Sequence, residues 1–277
     1  MAKEQLNKGK LLRVKSRNPK IEFDKLKMYF REPYEIEEEG SDGKIILTQP
    51  SIGDVVNLGE NRYYNTLNLF IANTTMFRLQ LWEQGIDWNE ISDFELFSML
   101  VTASPMDREV VKTFLPDINF DDFKRYQKKS EDGSEALVLY DKEHGIEINE
   151  FKYHHISQYL RNTFNIFPEE KITKDAIMKK WFIKKDEREL RNKEILKEQG
   201  KKEEDSGLFS VISGCCNHPG FKYKSSELKE LGVFQFYDSV KRLQVYESTT
   251  ALQKGMFSGF MDTKNIKAED YNFMKAI

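Results

Sequence analysis

The chain has 277 residues, of which 39% are hydrophobic and 32% charged, and its formal net charge is -3. That length is ample for a buried core, and 13% aromatic content argues against wholesale disorder. The slight negative balance offers no global basic excess for phosphates, and no apolar run approaches the roughly 20 residues of a membrane-spanning helix.

Residues 1–20 are basic but have no apolar stretch behind them, so they read as a flexible arm rather than a secretory signal. Docking of that arm on a partner or on nucleic acid is the sharper alternative. Over 21–50, Tyr34 and Ile36 alternate with acidic residues. Gly40 and Gly43 mark a turn, and Lys44 to Gln49 is a β-branched run ended by Pro50. This predicts a hairpin with a charged outer face.

Helices follow. Ser51 is placed to cap one, with Asp54 at N3. Tyr63, Leu67 and Phe70 recur at helical spacing, as do Phe77 and Leu81, and Gly85 suits a left-handed end. In ISDFELFSML, Ser92 and Glu95 form a capping box and Ile91 and Leu96 a hydrophobic staple, predicting a helix from Ser92 to about Thr102. Ser104, Pro105 and Asp107 predict another start, with Pro116 stopping that helix after Leu115.

A second hairpin is predicted at 136–149, with ALVLY and GIEIN flanking Asp141 to His144. Asn149 then caps a helix bearing Phe151, Ile156, Tyr159, Leu160 and Phe164. From Thr173 to about Gln199 runs one long helix that turns polar after Trp181 and Phe182, with Glu187–Arg191, Glu189–Lys193 and Glu198–Lys202 in favourable order. It reads as a solvated helix decaying into a linker; ordering by a partner is the alternative. Gly200 to Ser206 is the expected boundary. In 207–277, LFSVIS opens a helix that CCNHPG breaks, and Ser225 or Ser226 caps a short one ending at Leu231 and Gly232. A longer helix carries Phe236, Val240, Leu243 and Tyr246 on one stripe, loosened near Gly255 and Gly259. Tyr271 and Phe273 sit on a last short helix.

Each chemistry-bearing cluster has a plainer reading. Cys215, Cys216 and His218 are three soft ligands in four residues, but adjacent cysteines turn poorly toward one ion and make strained disulfides. Two packed thiols in a turn are favoured over zinc or a nucleophilic cysteine, and a reducing compartment suits them. His154 and His155 are adjacent and roughly 100° apart on a helix, so they lack the i,i+4 zinc pattern; one is expected to pack and the other to face water. Asp121–Asp122 suit a helix start, and Glu37, Glu38 and Glu39 a solvated turn. KSSELKELGVFQFYDSVKRL outlines a helix-turn-helix, yet Val233, Phe234, Phe236 and Tyr237 stand where bases would be read, which favours packing. The aromatic stripes suit either core or a protein-binding face.

TQPSIGDVVNLGENRYY, then WEQGIDWNEISDFELF, then SVISGCCNHPGFKYKSSELKELGVFQFYDSVKR and the tail YNFMKAI form an ordered pattern. From Ile45 onward it resembles tail assembly chaperones and related morphogenesis proteins, encoded near tail genes in phages and prophages of Gram-positive bacteria. Many of those chaperones are shorter than this chain, and no residue with a known chemistry carries over. The resemblance implies a bacterial-host cytoplasmic protein that binds tape-measure or tail-tube proteins, with homo-oligomerisation as a further expectation.

The sequence thus predicts an α+β, predominantly α-helical protein. It would comprise an arm (1–20), a β-hairpin plus helical domain holding the second hairpin (21–172), a charged helix and linker (173–206) and a C-terminal helical unit (207–277). The leading expectation is a non-catalytic tail morphogenesis protein with no cofactor, no metal, no membrane segment and no nucleic-acid partner. The alternatives are a structural virion component (neck, connector or baseplate) and an enzyme with a dispersed site, for example around Cys216 and His218. The residues expected at a protein-binding surface are Tyr63, Tyr64, Phe77, Trp82, Trp88, Phe234 and Tyr237.

Overall fold

The computed structural model describes residues 18–103, 105–129, 135–200, 207–259 and 266–275. Most of the expected arm, residues 1–17, lies outside them, as do Ser104, residues 130–134 and most of the expected boundary, 201–206. The architecture is α+β and predominantly helical, with two small antiparallel sheets among the described residues.

The described chain begins by docking. Asn18 donates to Asp93 at 2.7 Å, and Gln158 holds the Pro19 carbonyl and the Ile21 amide. A short helix follows, Lys25–Tyr29 (α1), capped by Asp24. The sequence reading did not anticipate it, since five residues carry almost no periodicity.

Tyr34–Ile36 (β1) pairs antiparallel with Ile45–Leu47 (β2), as expected. Ile36, Ile45 and Leu47 are buried while Glu35 faces out, the period-two pattern of a half-buried ribbon. A Cβ on Gly43 would lie 2.9 Å from the Gly145 carbonyl oxygen, so this turn sits against the turn of the second hairpin. The buried Lys152 ammonium locks it there, donating to the Asp42 and Gly43 carbonyls at 2.7 and 2.6 Å.

Ile52–Leu58 (α2) starts at the expected Ser51 cap, and Asp54 reaches back to make it a capping box. Glu60–Ile71 (α3) buries Tyr63, Leu67 and Phe70, and Arg78–Glu83 (α4) ends near Gly85 at φ +75°. Asp93–Ala103 (α5) carries the expected capping box: the Glu95 amide donates to Ser92 Oγ at 3.1 Å and the Ser92 amide to Glu95 Oε2 at 2.6 Å. The helix expected from Ser104 to Leu115 is shorter, Arg108–Lys112 (α6), because Asp107 caps it by accepting from the Glu109 and Val110 amides.

The hairpin expected at 136–149 is Glu135–Asp141 (β4) with Ile146–Ile148 (β5). A further strand, Lys124–Lys129 (β3), pairs with β4 and makes the sheet three-stranded. Its sequence, KRYQKK, hides it: an edge strand satisfies its backbone on one side and carries lysines that deter further pairing. Glu150–Phe164 (α7), capped by Asn149, is central, touching α3, α5 and β5 with an almost wholly buried face.

Ala176–Glu198 (α8) starts at the Asp175 cap, two residues after the expected Thr173. It buries only Ile183, over a second apolar cluster of Leu79, Leu81, Trp88 and Leu96. The Arg78–Asp186 and Lys179–Asp87 ion pairs fasten it. Leu208–Cys216 (α9) continues through both cysteines instead of breaking before them. A 3-10 turn at Leu228–Glu230, without a serine cap, precedes Val233–Phe257 (α10). The start of α10 is tied to the start of α2: Ile52 donates to the Leu231 carbonyl at 2.9 Å and Val233 to the Pro50 carbonyl at 3.0 Å. Leu208, Leu228, Leu231, Val233 and Phe236 accordingly belong to the same main core as α3 and α7. Tyr271 ends a 3-10 turn, Ala268–Tyr271, and Phe273 lies just beyond it. Among the described residues no helix is long and apolar enough to cross a membrane.

Candidate protein-binding surface

The seven aromatics singled out in the sequence separate into two groups. Tyr64 and Tyr237 meet where α3 and α10 pack on α7, and Phe234 is partly buried against the same core. The Tyr64 and Tyr237 hydroxyls are 3.0 Å apart, and Tyr64 lies edge-on to Phe164. Burial raises the pKa of both tyrosines, so each hydroxyl stays protonated. Tyr63 is fully buried beneath them, its hydroxyl 2.6 Å from Thr113 Oγ1. The second group is Phe77, Trp82 and Trp88, in the cluster under α8. Trp88 is fully buried and donates to the Lys171 carbonyl, while Trp82 packs edge-on against it and stays partly exposed. Tyr63 and Trp88 therefore build the core, and the physical reason is the tight helix junctions they fill.

A groove of about 530 Å³ lies elsewhere, along α10. Its walls include Tyr29 of α1, Phe221 and Tyr223 of the turn after α9, and Leu243 and Tyr246 of α10. Arg242 and Asp238 supply charge at its rim. The helical stripe of Leu243 and Tyr246 was legible in the sequence. The partnership with Tyr29 was not, because it is made by tertiary packing of α1 on α10.

The titratable clusters take mostly structural positions. Burial pushes the Cys215 thiol up, opposite to the shift of an activated nucleophile. Cys216 is exposed. His218 Nδ1 accepts from the Gly220 amide at 3.0 Å, closing its own turn. His154 is buried, and His155 stacks on Tyr34 with its Nδ1 2.6 Å from the tyrosine hydroxyl, so both histidines pack. Burial lowers both pKa values below the ordinary 6.5.

One cluster has metal-ligand chemistry that the sequence did not reveal. Asp122, Asp141 and His144 each place a ligand atom within 4.8 Å of the others. Asp141 is nevertheless already engaged as a turn cap, accepting from the Glu143 and His144 amides and pairing with the His144 ring at 2.7 Å. Burial pushes the Asp141 carboxyl up, but the His144 ring and the two turn amides together outweigh it and hold it below its usual range, while Asp141 holds the His144 imidazole above its own. The sequence signal was weak because Asp122 joins from a different element.

Residues 200–277 match the family model of the YomV second domain, a phage-derived domain. Neither the curated proteins nor the solved structures hold a match to the chain. Every groove wall named above except Tyr29 falls within the matched residues.

Proposed function

We propose that this chain is a non-catalytic phage morphogenesis protein, of the tail assembly chaperone kind, that binds a phage structural protein such as the tape-measure or tail-tube protein in the bacterial cytoplasm. The observation that carries the reading is the open aromatic groove on α10, lying almost entirely within the residues that match a phage-derived domain. An apolar trough rimmed by Arg242 and Asp238 suits a protein segment: side chains fill the trough and the rim charges set register. The sequence resemblance to tail morphogenesis proteins supports the same class.

A structural virion component is the second reading, and α8 favours it. Ile177 and Trp181 are 78% and 54% exposed, and Leu190 and Ile195 are also open along a helix that buries one residue. Such a helix suits an interface within an assembled particle.

Affinity purification of the tagged chain during infection or prophage induction separates the two. Recovery of tape-measure or tail-tube protein, with the chain absent from finished particles, is the expected result. Stoichiometric presence in purified particles overturns the chaperone reading in favour of the structural one.

A further inference from the structure

Asp122, Asp141 and His144 come together at one end of the three-stranded sheet. The β3–β4 register sets Lys124 opposite Tyr140, so Asp122, just before β3, and Asp141, at the end of β4, share that end. Asp141 pairs with Ile146 across the β4–β5 hairpin, which leaves His144 in the turn between them. One ligand atom from each residue lies within 4.8 Å of the other two. Two observations separate this cluster from ordinary surface acids. Asp141 is 2% exposed, yet among the described residues neither Asp141 nor Asp122 has a lysine or arginine partner. A buried carboxylate beside a second carboxylate is costly unless a cation joins them. In addition, Asn119 donates its Nδ2 to Asp122 Oδ2, while its Oδ1 is buried without a hydrogen-bond partner. Turn capping does not consume the site. The Glu143 and His144 amides both reach Asp141 Oδ1, and Oδ2 is the atom that faces His144 Nδ1 at 2.7 Å.

We propose that Asp122, Asp141 and His144 form a binding site for a divalent transition-metal ion of the zinc type, which staples the turn before β3 to the β4–β5 hairpin. Nitrogen and oxygen ligands stand about 2.0–2.2 Å from such an ion, and so about 3.4 Å from one another in a tetrahedral arrangement. Closing from 4.8 Å asks for shifts of about 1 Å, which the half-exposed His144 ring can supply by turning. The imidazole selects zinc, cobalt or nickel over calcium and magnesium, which take all-oxygen shells. Three protein ligands leave a fourth position for water or for a further oxygen such as Asn119 Oδ1. The site shares no residue with the α10 groove and lies outside the residues that match the phage-derived domain, so it stands apart from the binding reading above.

The test uses the full chain, stripped with a chelator, returned to chelator-free buffer and titrated with zinc by isothermal calorimetry. The expected result is one tight zinc site per chain. His144→Ala, which removes a half-exposed side chain, should weaken that site by more than the roughly 10–100-fold that loss of a supporting hydrogen-bond partner costs. Asp122→Asn should weaken it as well, and neither variant disturbs the Asp141 turn cap. Zinc should raise the thermal midpoint of the natural chain by several degrees and leave that of His144→Ala where it was, because only a ligand that binds the folded state stabilises it. Cobalt in place of zinc should give a visible spectrum without thiolate-to-cobalt charge transfer, since no cysteine is among the ligands. The proposal is overturned by no zinc uptake at millimolar concentration, by equal uptake in the natural chain and both variants, or by a thiolate band that assigns the ion to Cys215 or Cys216.

Discussion

Lys152 has no solvent exposure, and its ammonium is held by two backbone carbonyls in the first hairpin's turn. Burial pushes its pKa down, while Glu147, Glu38 and Asp42 pull it back up. Lys152→Ala removes both hydrogen bonds and leaves a void, and we expect a loss of about 2–3 kcal/mol in urea denaturation. A change within about 0.5 kcal/mol would mean the turn is held by other contacts. His154 and His155 make a pH-dependent contribution. Their folded pKa values lie below the ordinary 6.5, so the unfolded chain takes up protons first. The stability they supply is therefore complete above 6.5 and is lost as pH falls through the folded values. His144 works in the opposite sense, since Asp141 raises it: its contribution is complete below 6.5 and fades as pH rises through its folded value. The urea midpoint should fall as the pH drops below 6.5, and the His154→Asn, His155→Asn double variant should flatten that slope. An unchanged slope in the variant would assign the acid loss to carboxylates.

Elements are fixed by caps and close approaches. Gly53 lies inside α2, where alanine normally stabilises by about 0.5–1 kcal/mol. Here a Cβ would stand 2.7 Å from the Lys229 carbonyl oxygen, part of the turn before α10. Gly53→Ala should therefore lower the thermal midpoint; a rise would show that the α2 contact can open without cost. Several element starts were legible because their signal was local. The Ser51 cap, the Ser92–Glu95 box and the Asn149 cap need only four residues of sequence, and each closes as read. The α6 start moved because Asp107 competed with Ser104, and both are good caps. Strand β3 escaped because an edge strand with solvent on most sides carries no apolar alternation. The groove escaped for another reason: Tyr29 and Tyr246 are far apart in sequence, and nothing local records their meeting.

At the scale of the molecule, the start of α10 shares one core with α3 and α7, and Phe236 lies fully inside it. Phe236→Ala should cost about 3–5 kcal/mol, and unfolding should stay a single transition by both circular dichroism and fluorescence. Two separated transitions would mean that residues 207–257 fold as an independent unit. The groove lies just beyond that anchor on the same helix, so its walls are positioned by the core while its mouth stays open.

The account depends most on that groove being where a phage structural protein binds. The direct measurement is affinity purification of the tagged full chain from induced cells, quantified by mass spectrometry for the natural protein and for Leu243→Glu, which puts a charge in the trough. The account predicts that tape-measure or tail-tube protein accompanies the natural chain and is lost from Leu243→Glu while that variant stays folded. Equal recovery by both, or no phage structural protein with either, would contradict it.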